Sequence, residues 1–371
     1  MLETSLLERA IGEPGRPVAV EPFGEGSIVR LTVDAGPNAG DWFVDTSRQA
    51  VAVETGFVVR GTEGVVARIW RHPLDPRLPA LRTAVDPERL ARIAAAAGTE
   101  GEIAARVLAY RPGRRAVVRL TQHDVHLFLK VVRPGEAEGL ADVHDACRAA
   151  GVPAPAVVHW SPAGVVVVRD ADGTPGPVAA ARLAPEVLLD AVDALRERLL
   201  EVGTTRIARA SVGTRAEWHL ERMASALPER AAEIDALAPA VLGRVRREGP
   251  ARVVHGDLHI GQLFFEDGRV SSVIDVDTAG LGDPADDAAA FIGHAIASAV
   301  RNEAADRPGD AAILRGLADA AAERWLRDPH ATALTTLHLL AHGIRAAERS
   351  PESAHLLLDA AGAVAGTRAA R

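Results

Sequence analysis

Residues 17–70 alternate between short apolar runs and turn residues, which predicts a β-rich N-terminal unit. Short runs rich in Val, Ile and aromatic residues are separated by Gly, Pro, Asn and Asp, the residues that form turns. We predict strands at residues 27–33, 42–44, 51–53, 57–60 and 65–70. These strands belong to a small β-rich N-terminal unit, which we place at residues 1–85.

A helix is predicted directly after this unit. Asp86 has a side chain that can cap a helix, Pro87 suits the first helical position, and Gly98 suits the exit. Helical spacing places four apolar side chains on one face: Leu90, Ile93, Ala94 and Ala97.

A second β block follows, and the chain then becomes helical. Strands are predicted at 107–110, 116–120 and 125–132, a helix at about 136–150, and two more strands at 157–160 and 165–168. A Gly-, Pro- and Asp-rich connector lies at Asp170–Gly176, and after about residue 178 the pattern is mainly helical. We therefore divide the main body into residues 86–172 and 173–371.

Composition excludes several classes of protein. The formal net charge of the 371-residue chain is −8, which disfavours a nucleic-acid-binding protein, since such proteins carry a basic face. No run of 18 apolar residues is present, so we expect no membrane span. The N-terminal residues do not resemble a secretory signal, and the single cysteine, Cys147, suits a reducing cytoplasm. We expect a cytoplasmic location and a core position for Cys147.

Two motifs in the helical part bring polar chemistry together. His255–Gln262 reads HGDLHIGQ between two apolar stretches, and Val273–Asp277 reads VIDVD. Between them, Glu266–Arg269 has the residue types of a hairpin turn, and Gly280–Asp287 follows with GLGDPADD. Phosphoryl transfer from ATP needs one Asp for the attacking hydroxyl, together with an amide oxygen and a second Asp for Mg²⁺.

These motifs resemble those of the aminoglycoside phosphotransferase and choline kinase superfamily, which typically reads H-G-D-x-x-x-x-N followed by I-D-x-x-x-x-G-x-G-D-P-x-x-D. The resemblance implies that Asp257 is the catalytic base and Asp275 the metal-binding Asp. Gln262 stands where most of the family has Asn; its amide oxygen can still bind magnesium, on a stem one methylene longer. Asp283 and Asp287 match the final motif.

The resemblance also implies a fold. We expect an α+β, protein-kinase-like two-lobed fold, with a small β-rich N-lobe and a helical C-lobe, after the β-rich N-terminal unit. The cofactors would be ATP and Mg²⁺, and the partner a small-molecule hydroxyl acceptor. Three further residues are assigned supporting roles: His255, which we expect to orient the loop by hydrogen bonds, His259, which either supports the site or faces solvent, and Asp277.

Lys130 is the candidate for contact with the ATP phosphates. It lies in an apolar strand and is the only lysine among the 42 lysine and arginine residues. The alternative explanation is an edge-strand charge. A phosphate-binding lysine usually pairs with a carboxylate on the next helix, and we choose Glu138 over Glu136 and Asp142. Arg114 and Arg115 lie in the turn where a phosphate loop belongs, although a solvated hairpin tip explains them equally well.

The acceptor and three alternative functions stay open. Relatives phosphorylate aminoglycosides, choline, homoserine, methylthioribose, amino sugars and sugars. Bacterial maltokinases resemble the chain in Gln262 and in an extra N-terminal unit, but they usually carry an aromatic residue where this chain has Val276, so a maltokinase-like or amino-sugar kinase is an alternative. A metal-dependent hydrolase using His255, Asp257, His259, Asp275 and Asp277, and a nucleotide-binding pseudokinase, are the others. Acidic residues would suit a cationic acceptor: Glu217, Glu221, Asp286 and Asp287.

Overall fold

The computed structural model of the protein describes residues 2–62, 64–98, 103–122, 125–246, 249 and 251–366. The chain forms two compact units. The first contains residues 1–142 and 156–170, and the second contains residues 143–155 and 171–371. Our division at residues 85 and 172 stays a prediction.

The first unit begins with a helix and an antiparallel sheet. The elements are α1 (Leu2–Ile11), β1 (Arg16–Phe23), β2 (Gly26–Val33), β3 (Gly40–Asp45), β4 (Phe57–Gly61) and β5 (Gly64–Arg71), with strand order β1-β2-β3-β5-β4. Leu6 and Leu7 of α1 pack with Leu31 and Ile69 in one apolar cluster. Neither α1 nor β1 was predicted, although Leu2, Leu6 and the residues beside them have helical spacing.

The predicted strand at residues 51–53 is wrong. This segment is a loop in which the backbone N–H groups of Ala52 and Val53 both donate to the carbonyl oxygen of Pro76, at 3.2 and 3.1 Å. A strand needs partners along a whole neighbouring strand, and a single carbonyl cannot supply them. Valine is common in strands, but the valines of this segment belong to a loop whose backbone is not paired with a neighbouring strand.

The helix predicted after the N-terminal unit is confirmed. A short helix α2 (Leu81–Ala84) precedes α3 (Pro87–Ala96), and the Asp86 side chain accepts a hydrogen bond from the backbone N–H of Arg89 at 3.1 Å. Gly98, just beyond the helix, has φ +83°, a conformation that favours glycine. Leu90 and Ile93 of α3 are buried against the second sheet.

The second sheet of this unit is antiparallel and has a central lysine-bearing strand. Its elements are β6 (Ala104–Arg111), β7 (Arg115–Gln122), β8 (Val125–Val131), α4 (Ala137–Ala149), β9 (Val157–Ser161) and β10 (Val165–Arg169), with strand order β6-β7-β8-β10-β9. One face packs on α2 and α3. The other packs Val166 and Val168 against Ala137 and Leu140 at the start of α4.

A buried carboxylate joins the two sheets of the first unit. Asp75 follows β5 and accepts hydrogen bonds from the Tyr110 hydroxyl at 2.8 Å and from the Gly113 backbone N–H at 2.7 Å. Burial raises the pKa of Asp75, and these hydrogen bonds offset part of the increase. The turn between β6 and β7 is therefore fixed to the N-terminal sheet.

The second unit is mainly helical. Its elements are β11 (Thr174–Pro175), α5 (Gly176–Ala180), α6 (Pro185–Leu200), α7 (Ala216–Ala226), α8 (Ala231–Leu242), β12 (Arg252–Val254), β13 (Leu263–Glu266), β14 (Arg269–Val273), β15 (Gly280–Gly282), α9 (Pro284–Ala304), α10 (Pro308–Trp325), α11 (Pro329–Ala347) and α12 (Pro351–Ala365). Two apolar cores form on either side of α9. Cys147 is fully buried in one of them, and burial raises its pKa to about 11.

The α+β fold class is confirmed: β-rich sheets precede a helical C-terminal part. Across the described segments, every helix is too short or too polar to cross a lipid bilayer.

Candidate active site

The loop between β12 and β13 carries the first motif. It leaves β12 at Val254, passes through Gly256 and Asp257, and ends in a 3₁₀ turn at Ile260–Gln262. Gly256 has φ +80°, and an added Cβ would lie 2.6 Å from the carbonyl oxygen of Thr278. Only glycine fits here without displacing backbone, and this fixes the direction of the chain at Asp257.

The last motif fixes this loop from the side of α9. The carboxylate of Asp287 accepts hydrogen bonds from the backbone N–H groups of His255 and Gly256, each at 2.8 Å. Asp283 caps α9 by accepting from the backbone N–H of Ala285 at 2.9 Å. Both aspartates thus accept hydrogen bonds from backbone N–H groups, Asp283 at the start of α9 and Asp287 in the loop before Asp257.

The carboxylate of Asp257 lies between the guanidinium group of Arg209 and the imidazole ring of His294. Its Oδ2 is 2.6 Å from a guanidinium nitrogen of Arg209, and its Oδ1 is 3.6 Å from Nε2 of His294. Burial raises the pKa of Asp257, but His294 and the charge of Arg209 outweigh it, so the pKa lies well below its usual value. The carboxylate is therefore ionised and oriented at neutral pH.

Gln262 and Asp275 lie at the open end of the β13–β14 hairpin, where Gln262 precedes β13 and Asp275 follows β14. The backbone N–H of Ile274 donates to the carbonyl oxygen of Gln262 at 3.0 Å, which brings the neighbouring Asp275 close to Gln262. The predicted hairpin turn is confirmed, with positive φ at Asp267 and Gly268. Asp275 also has a positive φ, 60°, a conformation in which Asp is one of the few residues tolerated.

The donor atoms at this hairpin fit magnesium. An amide oxygen and a carboxylate are hard oxygen donors, and Mg²⁺ usually takes one or two protein oxygens and fills its other positions with phosphate oxygens and water. The side-chain oxygen of Gln262 accepts one hydrogen bond, from the backbone N–H of His259 at 3.2 Å, so its second lone pair remains for a metal. Within the described segments, no three His, Cys, Asp or Glu side chains are grouped to hold a metal by themselves.

The three supporting residues make defined contacts. His255 is fully buried, and its Nε2 lies 3.0 Å from the carbonyl oxygen of Ile274. His259 accepts from the backbone N–H of Gly261 at 3.1 Å and stacks on His294 with ring centroids 4.4 Å apart. Burial lowers the pKa of His259 to about 3, helped by the neighbouring His294.

Asp277 contacts a different part of the unit. One of its carboxylate oxygens is 3.3 Å from Nε2 of His144, and its carbonyl oxygen accepts from Arg206 at 2.5 Å. The contacts of Asp277, His255 and His259 differ from those of a shared metal site, so the hydrolase alternative gains no support from them.

Lys130 lies on the central strand of the second sheet in the first unit. Its neighbours in the ladder are Val117 on β7 and Val166 on β10, so an edge-strand charge does not explain it. Because side chains alternate along a strand, Lys130 shares a face with Val166 and Phe128, and it is 9% exposed. Glu138 is exposed on the first turn of α4, and its pairing with Lys130 stays a prediction.

The two arginines of the candidate phosphate loop differ. Arg114 contacts a carboxylate oxygen of Glu21 at 3.2 Å and lies over the ring of Phe23, both in the N-terminal sheet region. Arg115 is exposed at the start of β7, opposite Arg111. Binding of phosphate by Arg114 would thus compete with Glu21.

The pocket beside Asp257 contains residues that the sequence did not indicate. It has a volume of about 420 Å³ and is lined by the segment after α6 and by side chains of α7, α9 and α11. Arg209 belongs to no motif, so no sequence signal was available for it. His338 and His342 are four residues apart on α11, and this spacing, which places both on one helix face, could have indicated them.

Most of the acidic residues that we assigned to a cationic acceptor lie outside the lining of this pocket. Glu217 and Glu221 are exposed on α7 and do not line this pocket. The carboxylate of Asp287 accepts hydrogen bonds from the backbone of the loop that carries Asp257. Only Asp286 of this set lines the pocket.

Comparison with known proteins gives a family and a fold. The sequence model of the phosphotransferase enzyme family matches residues 106–334, more than half of the chain. A search of the curated proteins found no match. Among solved structures, the chain is similar to a thermostable mutant of aminoglycoside phosphotransferase APH(4)-Ia in ternary complex with AMP-PNP and hygromycin B. The two chains are 14% identical, and the superposition covers 76% of this chain and 99% of the other, with a TM-score of 0.52. Macrolide 2'-phosphotransferase MphH from Brachybacterium faecium is 20% identical to this chain. Its superposition covers 77% of this chain and 99% of the MphH chain, with a TM-score of 0.44.

Proposed function

The chain belongs to the phosphotransferase enzyme family, and from this we propose that it transfers the γ-phosphoryl group of ATP, with Mg²⁺, to a hydroxyl group of a small molecule. The observation that carries the proposal is the arrangement around Asp257. An ionised carboxylate on a fixed loop faces a pocket of about 420 Å³, and an amide and a carboxylate lie at the adjoining hairpin.

In this proposal, the acceptor hydroxyl lies in the pocket and donates a hydrogen bond to Asp257. The hydroxyl oxygen bonds to the γ-phosphorus as the bond from that phosphorus to the bridging oxygen of ADP breaks. The hydroxyl proton passes to Asp257 and then to solvent. Because the pKa of Asp257 is low, the carboxylate mainly orients the hydroxyl and accepts its proton late, when the attacking oxygen has become acidic.

Gln262 and Asp275 would hold the metal ion, which supplies positive charge to the phosphates when bound. Lys130 would contact phosphate oxygens with its ammonium group, and Glu138 would fix that group. AMP-PNP, the nucleotide bound in the APH(4)-Ia complex, is an ATP analogue, which supports ATP as the donor. A cytoplasmic location, where ATP is present and a lone thiol stays reduced, suits this activity.

The proposal is tested by comparing Asp257→Asn with Asp267→Asn. Asp267 lies ten residues away in the hairpin turn, where Asn also tolerates the positive φ. Acceptor-dependent ADP formation and equilibrium binding of AMP-PNP are measured for both. Asp257→Asn should bind the nucleotide and lose about 10²–10⁴-fold in turnover, and Asp267→Asn should match the wild type. Turnover by Asp257→Asn within a few-fold of the wild type would remove Asp257 from its role.

A further inference from the structure

A short segment between α6 and α7, residues 206–209, lies against β15 and the turn before it. We call this segment the strap. The backbone N–H of Leu281 in β15 donates to the carbonyl oxygen of Arg206 at 2.7 Å, and the backbone N–H of Arg209 donates to the carbonyl oxygen of Thr278 at 3.0 Å. Both ends of the strap are therefore fixed to the backbone that follows the β13–β14 hairpin.

Two glycines of the catalytic motifs make room for the strap. A Cβ added to Gly280 would lie 2.5 Å from the carbonyl oxygen of Arg206, a distance at which the backbone must shift. A Cβ added to Gly256 would lie 3.4 Å from the backbone nitrogen of Arg209. Because Gly256 directly precedes Asp257, the strap packs closely against the loop that carries the proposed base. The position of Arg209 beside Asp257 is thus set by backbone contacts.

The guanidinium group of Arg209 has hydrogen-bond donors beyond those that Asp257 uses. It donates to Oδ2 of Asp257 at 2.6 Å, and among the residues that the structure describes it makes no second hydrogen bond. An arginine side chain carries five N–H donors, so several remain for a ligand. The side chain is 49% exposed and lines the pocket beside Asp257. A ligand in this pocket can therefore bind the guanidinium group while its ion pair with Asp257 stays intact.

The positive charge of Arg209 offsets the negative charge of the proposed base. A guanidinium group stays protonated in proteins, whereas burial lowers the pKa of His259 and of His338 to about 3, so these two imidazoles are neutral at pH 7. A bare carboxylate would repel the negatively charged phosphoryl group that the acceptor oxygen attacks. Arg209 reduces this repulsion and leaves Asp257 ionised.

The proposed reaction brings the transferred phosphoryl group close to Arg209. The acceptor oxygen would lie about 2.6–3.2 Å from the carboxylate of Asp257, and the γ-phosphorus would come within about 3–3.5 Å of that oxygen. The guanidinium group binds the same carboxylate. Because the phosphoryl group and the guanidinium group are neighbours of one carboxylate, the remaining N–H donors of Arg209 can reach the phosphoryl oxygens.

We propose that Arg209 is a catalytic residue, which binds the oxygens of the phosphoryl group during transfer and keeps its ion pair with Asp257. This inference rests on the proposed function. The acceptor oxygen bonds to the γ-phosphorus, the bond from phosphorus to the bridging oxygen of ADP breaks, and the hydroxyl proton passes to Asp257. Arg209 keeps its own protons throughout and stabilises the negative charge on the phosphoryl oxygens.

The first test compares Arg209→Gln with Arg349→Gln, a matched change at an exposed position outside the pocket lining. ADP formation is measured at pH 7 and pH 9 with the acceptor that gives the wild type its highest turnover. Arg209→Gln should lower kcat by about 10²–10³-fold at both pH values, and Arg349→Gln should match the wild type. Turnover by Arg209→Gln within a few-fold of the wild type would overturn the inference. Recovery of its kcat at pH 9 would also do so, because Arg209 would then act only by keeping Asp257 ionised.

The second test measures binding and does not depend on turnover. Calorimetry on the full chain gives the affinity for MgADP with and without orthovanadate, which adopts the geometry of the transferred phosphoryl group. Orthovanadate should tighten MgADP binding by about tenfold or more in the wild type, and Arg209→Gln should lose this gain while it binds AMP-PNP as the wild type does. An equal gain in both proteins would overturn the inference. Absence of ADP formation by the wild type with every acceptor would count against the proposed function instead.

Discussion

The carboxylate of Asp287 accepts hydrogen bonds from the backbone of Gly256, at 2.8 Å, and from the residue before it. Asp287 is 2% exposed and lies in the first turn of α9. The loop that carries Asp257 is therefore fixed by a buried carboxylate from the first turn of α9. Hydrogen bonds to a buried charged group are among the stronger ones in proteins.

Asp287→Asn should destabilise the protein and lower turnover together. The amide has one acceptor oxygen where the carboxylate has two, so one backbone N–H loses its partner, and the expected cost is about 1.5–3 kcal/mol. Urea denaturation and kcat are the measurements. Asp310→Asn, at an exposed position in the first turn of α10, is the control and should leave both unchanged. An unchanged denaturation midpoint for Asp287→Asn would contradict the role.

Asp286 should make the protein less stable as the pH rises from about 4 to about 6. Its ordinary pKa of 3.8 is raised to about 6, mainly by burial, so the folded state binds its proton more tightly than the unfolded state does. Stability from this group is present below pH 4 and is lost as the pH passes 6. Asp286→Asn should therefore gain stability relative to the wild type between pH 4 and pH 7, in thermal denaturation followed across that range. A difference between the two proteins that stays constant with pH would show that Asp286 does not titrate in this way.

Arg209 should hold the pKa of Asp257 low. Its guanidinium contributes to the low pKa of Asp257, so Arg209→Gln should raise that pKa, and ¹³C NMR of the Asp257 carboxyl should show protonation that begins at a higher pH than in the wild type. Arg349→Gln, a change of the same kind outside the pocket lining, is the matched control. Identical titration of the Asp257 carboxyl in the two variants would separate Arg209 from the ionisation of Asp257.

Lys130 should be the only side-chain amine that nucleotide protects. With one lysine in the chain, an amine-directed ATP probe can label only Lys130 or the N-terminal amine. Excess ATP with Mg²⁺ should suppress labelling at Lys130 and spare the N-terminus, as read by peptide mass spectrometry. Equal labelling of Lys130 with and without ATP would show that its strand does not contact the nucleotide.

Local patterns in the sequence predicted much of the fold and the core of the site. The helix capped by Asp86 and the hairpin turn at Asp267 follow from short-range rules for capping and turns, and both are present. The loop around Asp257 was identified because its chemistry is encoded in adjacent residues. Residues 51–53 show where local patterns fail, because strand pairing depends on a partner that the local sequence does not specify.

Contacts between distant parts of the chain could not be predicted. Arg209 precedes Asp257 by 48 residues and His294 follows it by 37, and neither belongs to a recognised motif. The acidic residues on α7 were assigned to the acceptor by charge alone, whereas their direction depends on how α7 packs. The composition of the pocket is a property of tertiary packing, so it was not available from the sequence.

Transfer of a phosphoryl group from ATP to an acceptor hydroxyl is tested most directly by ³¹P NMR. The protein is incubated with ATP, Mg²⁺ and the acceptor that yields the most ADP, and spectra are recorded over time. We expect a new phosphomonoester resonance that grows in step with ADP and is absent with Asp257→Asn. Formation of ADP with inorganic phosphate alone, and no phosphorylated acceptor, would contradict the claim.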